Sequence, residues 1–291
     1  MKAMTGSARP HATCCPVSPD VGIAPSMVAS RLALVLAYDG SLFEGWQTQP
    51  SGLTVQDHLE RALTEIAGHS VDTVCAGRTD AGVHALRQVV HFDTSAERPL
   101  TAWTRGVNTH LPEGIAVRHA VKVSEQFHAR FGALARRYRY LLHSSPVRHP
   151  LLARRAGWTH HTLNPSTMRE AATLLVGEHD FSAFRSAQCQ AASPIRRLDA
   201  LDMAEQGSLL TFTFTGNAFL HHMVRNLMGL LVAIGSGRYP PGFAAEVLES
   251  RDRRLAPATF DAAGLYLEGV RYDDGFGLPS WGGDSFPEWL D

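Results

Sequence analysis

Two β-favouring runs held apart by a glycine-bracketed loop limit this chain more than any other stretch. Residues 71–75 lead in, and Gln88-Val89-Val90-His91-Phe92 leads out. Between them lies Ala76-Gly77-Arg78-Thr79-Asp80-Ala81-Gly82-Val83-His84. The pattern predicts strand, loop, strand. Gly77 and Gly82 let the backbone bend sharply and let another group approach it closely. If the chain is extended at Arg78, side chains two apart share a face, so Arg78 and Asp80 point the same way. A guanidinium beside a carboxylate in a dry pocket keeps it ionised. A positioned, charged aspartate is a nucleophile or a base. The same stretch also reads as a tight surface turn with an ion pair. On its own physics both readings stand.

The flanking patterns predict an α+β chain. Residues 32–37 form an apolar strand, closed by Tyr38-Asp39-Gly40, with Gly45-Trp46-Gln47 in the loop that follows. Thr54 with Asp57 three residues on marks a helix start. Val55, Leu59, Leu63 and Ile66 then recur at helical spacing as far as Gly68. A second helix is expected over 100–107 and a strand over 115–123. The later half echoes this order: a strand at 136–142, a helix from Asn164-Pro165 to Val176, and a hairpin of 198–204 and 209–215 through Gln206-Gly207. A long apolar helix over 219–234, a shorter one over 243–250 and a strand over 265–272 complete it. The expectation is two similar α/β halves, 31–125 and 126–275, with mixed, largely antiparallel sheets flanked by helices and a cleft between them. Residues 1–30 predict a disordered extension, with Met27 as the expected true start, and 276–291 an irregular tail.

At 291 residues, 44% hydrophobic and 19% charged, the chain matches a globular protein of one large domain or two modest ones. No apolar run approaches a membrane span. Cys14, Cys15, Cys75 and Cys189 fit neither a disulfide framework nor a zinc site. No apolar core beside a small-residue cleavage site marks a leader within residues 1–30. A reducing cytoplasm is therefore expected. A net charge of −1 does not announce a nucleic-acid binder. Lysine stands only at Lys2 and Lys122, however, and the arginines cluster: Arg130, Arg136, Arg137, Arg139; Arg154, Arg155; Arg196, Arg197; Arg251, Arg253, Arg254. Such clusters can line a local basic groove on a neutral protein.

Tyr138 and Tyr140 share one face of their strand, and Arg137 and Arg139 the other. The tyrosines either pack at a sheet edge with wet hydroxyls or stack on bases while the arginines take phosphates. In Asn217-Ala218-Phe219-Leu220-His221-His222-Met223-Val224-Arg225-Asn226, His221 and Arg225 are four apart on the expected helix. An arginine in a helix this apolar is costly unless paired, and Asp80 would satisfy it. No metal is expected at His221-His222 or His160-His161, because neighbouring histidines do not normally share one ion and no His-Glu-x-x-His occurs. An Asp80–His84 hydrolase lacks both a Gly-x-Ser-x-Gly and a phosphate-cradling motif. Cys189 has no basic partner to make it a nucleophile.

The blocks Tyr38-Asp39-Gly40, Gly45-Trp46-Gln47, Gly77 to His84 with Gln88 to Phe92, Phe127-His128-Ala129-Arg130-Phe131, Arg137-Tyr138-Arg139-Tyr140, Phe184-Arg185, the Asn217 to Asn226 stretch and Ala263-Gly264-Leu265-Tyr266-Leu267 occur in order. Together they resemble the tRNA pseudouridine synthase A family from about Leu32 to Tyr272. The resemblance implies the pseudouridine synthase fold and conversion of uridine to pseudouridine at positions 38, 39 and 40 of the tRNA anticodon arm, with no cofactor and no metal. It implies Asp80 as the catalytic aspartate, Arg78 in the same motif, Arg225 paired with Asp80 and Tyr138 stacked on the target base. Arg137, Arg139, His84, Phe219 and His222 are the further candidate substrate-binding residues. It also implies a cytoplasmic homodimer with tRNA crossing both subunits. The competing expectation is a catalytically idle tRNA-binding protein using the same cleft. Thr48, where the family often has a basic residue, and the bulky Ala85-Leu86-Arg87 depart from the pattern.

Overall fold

The computed structural model describes residues 29–279. All but the last two residues of the extension expected over 1–30, Met27 included, and most of the tail expected over 276–291 fall outside them. The first half contributes β1 (Ser30–Tyr38), α1 (Val55–Ala67), β2 (Val74–Cys75), β3 (His84–Thr94) and β4 (Ile115–Val123). The second contributes β5 (Ala135–Ser144), β6 (Gly157–Thr159), α2 (Pro165–Thr173), β7 (Gly177–Asp180), β8 (Ile195–Gln206), β9 (Leu209–Gly216), α3 (Met223–Gly235), α4 (Phe243–Ser250) and β10 (Leu265–Arg271).

The two halves share one ten-stranded mixed sheet, ordered β4-β1-β3-β10-β5-β9-β8-β7, with β2 on β3 and β6 on β5. The last strand makes the seam. β10 runs parallel to β3 through Tyr266 opposite His84 and Leu267 opposite Ala85, and antiparallel to β5 along its length. On one face of the β5–β9 pair, Tyr138 and Tyr140 sit opposite Phe214 and Phe212, all four buried. On the other, Arg137 and Arg139 meet Glu268 of β10. Alternation along a pleated strand produces this division.

Local chemistry explains most element boundaries. Thr54 opens α1 with a capping box: its hydroxyl accepts from Asp57 N, and the Asp57 carboxylate accepts from Thr54 N. Gly68, left-handed at φ 76°, ends the helix. The strand expected over 71–75 shrinks to Val74–Cys75, because Thr73 N and Oγ1 both donate to Glu60 Oε1 of α1 at 2.8 Å. The helix expected over 100–107 widens to a π-helical turn at Ala102–Gly106, which seats Trp103 against Phe92 at 5.3 Å. The helix expected to reach Val176 stops at Thr173, where Leu174 N and Leu175 N tighten onto Ala171 O and Ala172 O. The helix expected from Phe219 begins only at Met223, because His222 is left-handed at φ 65°. β6 and β7, of three and four residues, were too short for the sequence pattern to expose.

The packing around α3 fixes where its first turn points. All but one of its residues are buried. Residues 256–260 cross it so closely that a Cβ on Gly229 would lie 2.1 Å from Ala258 O. Asn226, fully buried, donates to Phe184 O at 2.8 Å and accepts from Thr259 Oγ1 at 2.6 Å and Arg253 Nη2 at 3.1 Å. Among the described residues, no helix is long and apolar enough to cross a membrane.

His91 in β3 carries an acid-sensitive part of this stability. Its Nδ1 accepts from Ala129 N at 3.1 Å, and its ring lies between Phe127 and His128. Burial drives its pKa down to about 4, against about 6.5 for a free imidazole. Between those values the unfolded chain binds the proton that the folded one excludes, so stability falls as pH drops through that window. Thermal unfolding of His91→Gln at pH 7 and pH 5 should show a smaller loss on acidification than the parent shows. An equal loss in both would remove His91 from the account.

Candidate active site

The loop between β2 and β3 is held by its backbone, which leaves its side chains free to point outward. Gln88 Nε2 donates to Gly77 O at 2.6 Å, Arg136 Nη2 to Ala76 O at 3.1 Å and Trp46 N to Thr79 O at 3.0 Å. The hydroxyls of Tyr38 and Thr79 are 2.8 Å apart. Gly40 passes so close beneath that a Cβ there would lie 1.9 Å from Val83 O. Asp80 sits at the middle of this clamped stretch.

The second half supplies the opposing wall. The turn after β9 is pinned by Asn217 Oδ1, which accepts from Arg197 N at 3.0 Å and Ala218 N at 2.7 Å. Left-handed His222 then starts α3. Arg225 Nη1 donates to Asp80 Oδ2 at 2.8 Å, while its Nε donates to Phe260 O at 2.9 Å. His222 Nε2 lies 3.3 Å from the same Oδ2, and His221 Nε2 lies 3.1 Å from Oδ1. Three nitrogen groups from the second half therefore surround one carboxylate from the first. A guanidinium seated among apolar neighbours compensates the carboxylate's charge, and each removes the cost of burying the other unpaired.

Tyr138 of β5 forms the floor. A Cβ on Gly77 would come 3.6 Å from its hydroxyl, and Phe219 lies edge-on at 5.0 Å. Burial pushes the Tyr138 hydroxyl up to about 12, so it remains a neutral phenol at physiological pH. Burial likewise holds the His222 imidazole below its ordinary range, against the opposing pull of Asp80.

A family model described as tRNA pseudouridine synthase matches residues 34–132 and 171–273, the segments that carry both walls. The chain belongs to this family. The tRNA pseudouridine synthase A of Neisseria gonorrhoeae (strain ATCC 700825 / FA 1090) is 58% identical over 262 residues, covering 89% of this chain and 97% of that one. The protein of the same name from Neisseria meningitidis serogroup C (strain 053442) is 57% identical over the same span and coverage. That from Methylobacillus flagellatus is 55% identical over 249 residues, covering 86% and 95%.

Several residues expected at the site of this synthase-family member stand elsewhere. Arg78 is exposed and donates to Gln190 Oε1 at 3.3 Å. Arg137 and Arg139 lie on the far face of the sheet with Glu268. His84 is buried between backbone groups: Gly40 N donates to Nδ1 at 3.2 Å, and Nε2 lies 3.0 and 3.2 Å from Arg154 O and Ala263 O. The Asp39 Oδ1 carboxylate oxygen also lies 3.2 Å from Nδ1, and Tyr266 stacks on the ring at 4.6 Å. Two of the clustered arginines are tied up close to their own segment. Arg253 is spent on Ala256 O, Pro257 O, Asn226 and Thr259, and Arg254 on Asp252. A hollow of about 710 Å³ between Asp39, Glu113 and Arg154-Arg155 is separate from the residues around Asp80.

Gln88, Arg136 and Asn226 support the site and were not singled out for that from sequence. Their common signal is a polar side chain in an otherwise apolar or alternating run. Arg136 is 9% exposed and donates to four carbonyls: Ala76, Arg130, Ala133 and Asn217. It ties the Asp80 loop to the turn before α3. Arg136→Met should cost about 1–3 kcal/mol through the orphaned carbonyls, read as a lowered denaturation midpoint at unchanged slope. A stability within a few tenths of the parent would mean that these carbonyls find other donors.

Proposed function

We propose that this chain isomerises uridine to pseudouridine in tRNA, at positions 38, 39 and 40 of the anticodon stem-loop, with Asp80 as the reacting carboxylate. Family membership and relatives named tRNA pseudouridine synthase A support the activity. The contact that carries the assignment of Asp80 is its 2.8 Å bond to Arg225, a guanidinium anchored on a buried helix of the opposite half. Arg225 holds Oδ2. His221, the most exposed partner at 35% of its side chain, covers Oδ1. Oδ1 is thus the oxygen that an entering nucleotide reaches by displacing an imidazole.

The reaction breaks the bond from N1 of uracil to C1′, turns the base and joins C5 to C1′. N1 gains a proton and C5 loses one, so the atoms balance without an oxidant or a group donor. One carboxylate oxygen serves either as the nucleophile or as the base that removes a sugar proton. The target nucleotide must leave its stack, at a cost of a few kcal/mol, and the Tyr138 ring returns part of that by stacking. That ring is only 8% exposed, so a base lies on it only after its cover, Phe219 included, gives way. His222 holds Asp80 from the same turn. Residues 31–125 and 126–275 are read as the two halves that meet here. The resemblance in sequence supports a cytoplasmic homodimer with the anticodon arm across both subunits.

Release of tritium from C5 of uridine in labelled tRNA tests the reaction, since rejoining through C5 must expel that hydrogen. Asp80→Asn should lower release by about 10²–10⁴-fold or more while tRNA binding survives; turnover near that of the parent would refute Asp80 as the reacting group. Tyr138→Ala should weaken tRNA binding by about 1–3 kcal/mol and Tyr138→Phe by much less. An equal loss in both would assign the effect to the hydroxyl rather than the ring.

A further inference from the structure

The turn before α3 places two adjacent imidazoles on one carboxylate, which neighbouring residues of a continuous helix, about 100° apart, would not do. Left-handed His222, at φ 65°, makes the difference. It brings the His221 and His222 rings to 4.1 Å. Both Nε2 atoms and an Asp80 oxygen lie within 4.8 Å of one another.

We propose that Asp80, His221 and His222 form a reversible site for a zinc-class divalent cation, and that loading the site silences the Asp80 carboxylate. An ion with bonds of about 2.0–2.1 Å in tetrahedral geometry separates its ligand atoms by about 3.3 Å. His221 Nε2 stands 3.1 Å from Oδ1 and His222 Nε2 3.3 Å from Oδ2, so a small turn of the carboxylate brings one oxygen and both nitrogens onto a shared ion. Two imidazoles and a carboxylate suit zinc, cobalt, nickel or copper rather than magnesium or calcium. On loading, one metal–oxygen and two metal–nitrogen bonds replace metal–water bonds. Each imidazole then carries its proton on Nδ1 and offers the Nε2 lone pair. Partly exposed side chains on all three residues leave the remaining coordination position to water.

Arg225 acts on this site in two directions. By holding Oδ2 and Phe260 O together it orients the carboxylate, as hydrogen-bond donors behind metal ligands do. Its positive charge beside the ion weakens binding. With three protein ligands and a neighbouring cation, the ion exchanges, unlike one in a closed four-ligand structural site. A carboxylate bound to such an ion can neither attack a sugar nor take its proton. The inhibition therefore rests on the assignment of Asp80 as the reacting group; the binding of the ion does not.

Cobalt(II) added to the full chain tests the binding directly. The expected result is visible absorption from one nitrogen–oxygen-coordinated ion, displaced by zinc, without thiolate charge-transfer bands. His221→Ala, His221→Gln and Asp80→Asn should each weaken it by at least about tenfold. His160→Ala, in the other adjacent pair whose rings lie 4.0 Å apart, should leave it unchanged. Absence of the spectrum, thiolate bands in its place, or parental affinity in the His221 and Asp80 variants would overturn the site. Zinc should then suppress tritium release, with recovery on adding a chelator. Release that persists with the site filled would overturn the silencing. A chain that releases no tritium without zinc would instead defeat the proposed activity, while the cobalt spectrum still decides the site.

Discussion

The insertion of β10 between β3 and β5 is the constraint on which the rest depends. Its two-residue parallel pairing with β3 and its full antiparallel pairing with β5 turn two half-sheets into one. The β3 end of that seam is where the Asp80 loop emerges, since His84 and Ala85 are the residues β10 pairs. Just ahead of β10, residues 256–260 cross α3 and present Phe260 O to Arg225. The strand that joins the halves thus also aims the guanidinium. It is the last strand of the described chain, and its contacts with β3 close a loop of about 180 residues. Such contacts are entropically costly and form late.

Charge compensation across that seam follows. A carboxylate and a guanidinium are each expensive to remove from water alone, and together they settle in a cleft with apolar walls. Arg225 faces this cost because α3 is buried almost all round. Arg136, Asn226 and Arg253 solve the matching problem for backbone groups. Loops 76–83, 128–134 and 256–260 run against the sheet and α3 with few ladder partners, and these side chains supply the missing donors and acceptors. The site is consequently stiff on the Asp80 side. Its most exposed partner is His221.

Much of this was legible before any coordinates. The capping box of α1, the Gln206-Gly207 hairpin and the core alternation of β5 follow from local rules, because the responsible residues are neighbours in sequence. The pairing of Arg225 with Asp80 was legible for another reason: a cation in an apolar helix announces its need for a carboxylate, though not which one. Where reasoning from spacing failed, it assumed regular geometry that the chain abandons. The helix expected from Phe219 starts only at Met223, and His221 and Arg225 still both reach Asp80, by way of the left-handed His222 rather than helical spacing.

The sequence by itself determined the family, the order of the elements and the residues able to carry charge into the cleft, since these depend on residue identity and short-range pattern. Only the tertiary structure decided which of them meet. Arg137 and Arg139 went to the far face with Glu268, and His84 into the backbone of three segments. Both histidines before α3 were turned onto Asp80. Those outcomes depend on strand register across the seam and on a single left-handed residue, and neither is set by the amino acids nearby in the chain.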